Sequence, residues 1–184
     1  MTTTRPLILT GHSATWPQPL YTDLSEFYFL GPWCFAYNEA TTYDQGQNHK
    51  ILKGTNTSAD QILTANLYVD ELCERLMPAV GELLNRLHTV SKSEKFWRKV
   101  SLYWLIHWVG IIHDRYSRLK SAEAETEGKF KWFVELPRVQ SRGEFENYGQ
   151  MMAEIDKHTI NLALFSDVLR FGNFKLSRIC KSLS

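Results

Sequence analysis

The sequence has no paired-cysteine framework, no metal-ligand motif and no surplus of either charge, and each absence removes a class of function. Its three cysteines, Cys34, Cys73 and Cys180, are odd in number and far apart. That suits a reducing compartment better than a disulfide-stapled secreted domain. Neither CxxC nor HExxH occurs, so a structural or protease zinc site has no support and no metal is expected. Lysine and arginine number 21 against 20 aspartate and glutamate. A net charge of +1 gives no electrostatic case for nucleic acid, which calls for a basic excess or stripe. Gly11 stands outside any GxGxxG pattern, so no dinucleotide is inferred. Long hydrophobic runs are missing too. Val100 to Ile112 spans thirteen residues without Asp, Glu, Lys or Arg, about 20 Å of helix, whereas a bilayer crossing needs roughly 17 to 25 apolar residues. The first residues, MTTTRPLILTGHS, lack the longer apolar core of a secretory signal, and the expected location is cytoplasmic.

What the chain does have is aromatic weight in one place. Glu94 to Lys120 reads EKFWRKVSLYWLIHWVGIIHDRYSRLK, and its charge-free middle has no evident water-facing side. Such a helix is expected to be buried, a central pillar for a single domain of 184 residues. At about 100° per residue, Trp97, Ser101, Trp104, Trp108, Ile111 and Arg115 share one stripe. Tyr103, His107, Gly110 and Asp114 share another, with the glycine leaving room beside the imidazole. Packing alone explains aromatic stripes in most helices; the sharper reading makes this helix the floor of a ligand cleft.

Around the pillar the expected order is α/β. Pro6 to Thr10 reads as a buried strand ending at Gly11-His12-Ser13, and Glu26 to Leu30 as a second strand stopped by Gly31-Pro32. Trp33 and Cys34 then sit just past a strand end, where α/β proteins place functional side chains. Cys34 is either a nucleophile or, more plainly, a buried inert thiol. Asn38 to Ser58 reads as a long polar loop with a short strand at Lys50 to Lys53. Ser58-x-x-Gln61 is a capping box opening a helix to about His88, which Pro78 should kink or split. A short link from His88 to Val90 makes the next helix its antiparallel neighbour, with Ser91-x-x-Glu94 as the starting box. Ser121 to Gly128 reads as a charged linker, and Phe130 to Leu136 as an alternating strand ending at Pro137. The remainder, 138–184, is the helical C-terminal part. One helix opens at Ser141-x-x-Glu144, and another runs from His158 to Phe171 and stops at Gly172 as a C′ glycine.

Several of these segments, taken in order, resemble a known family. Leu7 to Trp16 (LILTGHSATW), Phe29 to Cys34 (FLGPWC), Leu83 to His88 (LLNRLH), Phe96 to Arg98 (FWR), Trp104 and Asp114-Arg115-Tyr116 are similar to the N-terminal region of transferases encoded in O-antigen and surface-polysaccharide gene clusters. The resemblance runs from about residue 7 to about residue 170, and order and spacing carry it rather than one motif. Where the family pattern has Gly-Pro before the Trp of the central helix, this chain has Leu102-Tyr103, which favours a more regular helix. The resemblance implies a small mostly parallel sheet of short strands packed against long helices, like the N-terminal lobe of a two-lobed glycosyltransferase. It implies an acceptor-side lobe that takes a glycan or lipid-linked glycan, either free in the cytoplasm or peripheral at the inner membrane. A nucleotide-sugar donor is implied for the whole enzyme, held by a C-terminal lobe or partner chain and not by this segment.

Sugar transfer needs a base for the acceptor hydroxyl and positive charge or dipoles for the leaving phosphate. His12, at the end of the first strand, is the first candidate base; a solvated turn histidine is the alternative. His107 with Asp114 is a second acid/base candidate, although seven residues of helix put about 10 Å between them along the axis. Arg98 and Arg115 are candidate phosphate or carboxylate forks, with pairing to nearby carboxylates as the plain alternative. Trp16 and Trp33 are candidate platforms for sugar rings. The competing function is a non-catalytic helical interaction module, whose exposed apolar surface pairs with another chain.

Overall fold

The computed structural model describes residues 5–9, 27–34, 50–55, 57–128, 130–132, 149–150, 153 and 158–174. They belong to two compact units, one comprising residues 1–54 and 115–184 and the other residues 55–114.

The first unit is α/β, as expected. Strands β1 (Arg5–Ile8), β2 (Tyr28–Phe29), β3 (Lys50–Ile51) and β4 (Phe130–Trp132) form one sheet in the order β3-β2-β1-β4. Every pairing is parallel, with Leu7 opposite Tyr28 and Trp132, and Phe29 opposite Ile51. Leu7, Ile8 and Leu9 are consecutive and fully buried, which only a strand covered on both faces can achieve. Around them pack Phe29, Leu30, Cys34 and Leu52, together with Leu119 and Ala122 from helix α2 (Glu94–Glu125) and Phe165, Val168 and Leu169 from helix α3 (His158–Phe171). The segment read as a charged linker is, up to Glu125, the last part of α2. Ala122 is buried there, and burial of Leu119 and Ala122 outweighs the polar composition. The helix ends in a Schellman turn: Gly128 N–H donates to the Glu123 carbonyl and Glu127 N–H to Ala124, with Glu127 at φ 53° and Gly128 at φ 70°. α3 has the expected bounds, but Gly172 is not left-handed. Its role is spatial, since a Cβ there would lie 2.3 Å from the Phe174 ring. Of the helix expected from Ser141, Gly149, Gln150 and Ala153 are described, and they are helical.

The second unit is a helical hairpin of α1 (Ala59–His88) and residues 94–114 of α2. Ser58 Oγ accepts from Gln61 N–H while Gln61 Oε1 accepts from Ser58 N–H, so the capping box is formed. Pro78 neither ends nor splits α1. The carbonyl it deprives of a partner is that of Glu74, on an exposed part of the helix where water can serve it. α2 is started by Ser93 rather than Ser91: its Oγ accepts from Phe96 N–H and its carbonyl from Trp97 N–H. Asn85 closes the connection. Its amide donates to the Lys92 carbonyl, and its Oδ1 accepts from Lys92 N–H and from Trp97 Nε1.

The pillar is not buried all round. α1 buries every fourth residue, Val69, Cys73, Met77 and Gly81. α2 answers with Trp97, Leu105 and Val109 in a row of the same spacing, the geometry of four-apart ridges meeting. One partner helix can cover one stripe, so Leu102 and Ile106 pack only partly against the seam, and other residues of Val100 to Ile112 face outward: Val100 is 60% exposed, Tyr103 65%, Trp104 44%. The hairpin consequently has two unlike sides. Glu74 and Arg98, each one residue after a buried row, form a bidentate ion pair across one side. The rows one residue before the buried ones share the opposite side. On α1 that row is Tyr68, Leu72, Leu76, Val80 and Leu84, and on α2 it is Val100, Trp104, Trp108 and Ile112. It contains no charged residue.

Candidate functional site

The chemistry of the first unit gathers where the parallel strands end. β1 runs out at Leu9 and β2 at Leu30, and the Gly31-Pro32 stop throws the chain into a 3-10 turn, Pro32–Cys34. Trp33 folds back over that turn. Its Nε1 donates to the Leu9 carbonyl at 3.3 Å, which ties the tip of β2 to the tip of β1. The ring lies so close to Gly31 that a Cβ there would be 2.1 Å from it; only glycine fits under this indole. On the ring sits the Arg118 guanidinium, 4.6 Å from its centre, a cation–π contact. Arg115, one helical turn earlier on α2, forks onto Asn161 of α3 with its Nε at 2.9 Å and Nη2 at 2.6 Å from Oδ1. The guanidinium also lies over Phe165. The Asn161 contact fixes the orientation of the guanidinium.

Cys34 follows Trp33 but points inward. Its Sγ–H donates to the Ile8 carbonyl at 3.2 Å, and burial pushes the thiol up to about 12 against the opposing pull of the Gly31 and Leu30 backbone. A thiol with that proton affinity offers almost no thiolate near neutral pH, so the nucleophile reading of Cys34 is overturned. Cys73 in the hairpin core is likewise raised, by burial first and then by Asp70 and Glu74.

The candidate residues divide between the units. Trp33 and Arg115 belong to the sheet unit, and Arg98, His107 and Asp114 to the hairpin. His12 and Trp16 lie outside the described residues. Arg98 holds Glu74, whose carboxyl the guanidinium keeps below its usual range. His107 Nδ1 is 2.8 Å from the Tyr103 carbonyl of its own preceding turn, and its ring packs 4.4 Å from the Tyr103 ring. Gly110 does not make room for that imidazole; the nearest atom to a Cβ there is Val69 Cγ1, at 4.0 Å. Arg98 and His107 are nine residues apart on one helix, about 13 Å along its axis, and do not converge. Arg118 was not among the residues singled out from sequence. Its spacing of three from Arg115 placed both on one helix face, but nothing in sequence showed which aromatic ring it would meet. Among the described residues no group of three His, Cys, Asp or Glu could hold a metal ion, and no helix is long and apolar enough to cross a membrane.

A parallel sheet with an arginine-backed indole at its strand tips is compatible with group transfer, and comparison with known families supports that class directly. A family model described as LIC12162 family transferase matches residues 5–183. The chain belongs to this transferase family. No curated protein and no solved structure matches it.

Proposed function

We propose that this chain is the acceptor-side lobe of a glycosyltransferase-like enzyme of surface-polysaccharide assembly. The observation that carries the reading is the carboxyl edge of the sheet. In an order β3-β2-β1-β4 the connections reverse direction beside β1, and open α/β sheets bind ligands outside the strand ends at such a reversal. Trp33 and Arg118 stand at those ends. The Trp33 indole seats the Arg118 guanidinium at the strand ends, and Arg115 and Arg118 are the proposed forks for the phosphate of a lipid-linked acceptor. His12 follows Leu9 by three residues and is the proposed base that takes the proton from the attacking acceptor hydroxyl. The donor nucleotide-sugar is assigned to another lobe or chain.

Isothermal titration of the purified chain with surface-polysaccharide oligosaccharides and with nucleotide-sugars tests this. Saccharide should bind, and Trp33→Ala and Arg118→Ala should each weaken it about tenfold or more, as loss of an aromatic or arginine anchor does, with far-ultraviolet circular dichroism unchanged. Nucleotide-sugar should give no heat. Saccharide silence, or nucleotide-sugar binding that ignores both substitutions, would sink the assignment.

A further inference from the structure

Arg115 opens a stripe on α2. Leu119 and Ala122 follow it four and seven residues later, on the same helix face, and both are buried in the core of the sheet unit. α3 carries a matching stripe, in which Asn161 is followed at the same spacing by Phe165 and Val168, buried in that same core. The polar first members of the two stripes meet. One oxygen, Asn161 Oδ1, accepts from both Nε and Nη2 of Arg115, at 2.9 and 2.6 Å. The guanidinium carbon lies 5.8 Å from the centre of the Phe165 ring, and Phe165 is 1% exposed. Two hydrogen bonds on one edge and a packed ring against the face fix the plane of this guanidinium. We propose that Asn161 is a positioning residue, which aims Arg115 at the phosphate of the acceptor.

The inference rests on the acceptor-side reading above and adds to it a residue that acts through Arg115 rather than on the ligand itself. An arginine reads phosphate through a planar fork, and its advantage over a point charge is that a pre-organised fork loses little freedom on binding. A fork of that kind needs support from side chains on rigid elements. Arg118 takes its plane from the Trp33 ring at the turn after β2, and Arg115 takes its plane from α3. Three residues apart, the two are neighbours on the surface of α2, each seated by a different element of the sheet unit. Lys120 shows the contrast. Its ammonium donates to Glu123 Oε2 at 2.8 Å and to the Asn173 carbonyl at 2.9 Å, which ties down the chain after α3 and aims at no ligand.

Titration of the isotope-labelled full chain with inorganic phosphate tests this, followed through the arginine Nε–H signals in NMR spectra. The variants are Asn161→Ala and Asn161→Leu, the second keeping the bulk of the side chain without its acceptor. In the native chain the Arg115 and Arg118 signals should shift together and saturate. Both variants should weaken phosphate about tenfold or more, as loss of a hydrogen bond to a charged group does. Before phosphate is added, their Arg115 signal should already stand at the position of a solvated arginine, with the native helix content kept in circular dichroism. An asparagine that only holds the fold together would leave the phosphate curve where it is. Undiminished phosphate affinity in both variants therefore overturns the inference and leaves the acceptor-side reading standing, as does a native chain in which Arg118 responds and Arg115 does not. Silence toward saccharide, with phosphate still bound in an Asn161-dependent way, would overturn the acceptor-side reading instead.

Discussion

Gly31 is the residue on which the strand-tip geometry turns. A methyl group added there would sit 2.1 Å from Cη2 and Cζ3 of Trp33, and the indole cannot swing away without giving up its bond to Leu9 and its stack with Arg118. Gly31→Ala should therefore cost about 1–3 kcal/mol, the usual range for overpacking, read as a lower denaturant midpoint at unchanged slope. The cost should nearly vanish in a Trp33→Ala background, because the clash needs both partners. If the penalty persists there, the indole is not what the methyl meets. The Gly-Pro break and its position after a strand were legible in sequence; that the glycine serves the tryptophan two residues on was not, since contact distances do not follow from residue order.

Helix ends make their own argument at the scale of elements. α1 finishes with Thr89 at φ 53°, a left-handed conformation that costs a residue with a Cβ roughly 1–2 kcal/mol and glycine almost nothing. Thr89→Gly should accordingly raise stability by about 1 kcal/mol, seen as a higher melting temperature. Asn85→Ala should do the opposite. It strips the Lys92 backbone of both partners and leaves the part-buried Trp97 indole N–H without its acceptor, for a loss of about 1–3 kcal/mol per buried group left unmet. Hydrogen exchange in residues 86–97 should report that loss first. The capping box at Ser58, both bounds of α3 and the antiparallel link were readable because local chemistry fixes them. Ser91 misled because two serines stand within reach of Glu94, and only geometry says that Ser93 makes the bond. The pillar misled for a different reason: hydropathy reports which residues could be buried, while the number of partner helices decides how many are.

For the molecule as a whole, an α/β class with parallel strands was legible from apolar runs ending at turns, and transferase membership from the order of short motifs. Strand order was not, because strands of two to four residues carry too few side chains to specify neighbours. Alkaline stability tests how tightly the sheet core is closed. Cys34 has a folded-state value near 12 against 9.0 for an exposed thiol. Between those values the unfolded chain has released the proton and the native chain keeps it, so stability must fall as pH rises. The effect is absent below about pH 8.5, where both states hold the proton. Over the full interval of about three pH units it amounts to about 4 kcal/mol at 1.36 kcal/mol per unit. Cys34→Ala should flatten that descent in urea titrations from pH 8.5 to 11 while costing some packing at neutral pH. In the native protein, iodoacetamide should label Cys34 only as fast as the sheet unit opens. Rapid labelling at pH 8, or an alkaline slope unchanged in the alanine variant, would mean that water reaches the thiol and that β1 is not sealed on the side where Cys34 bonds Ile8.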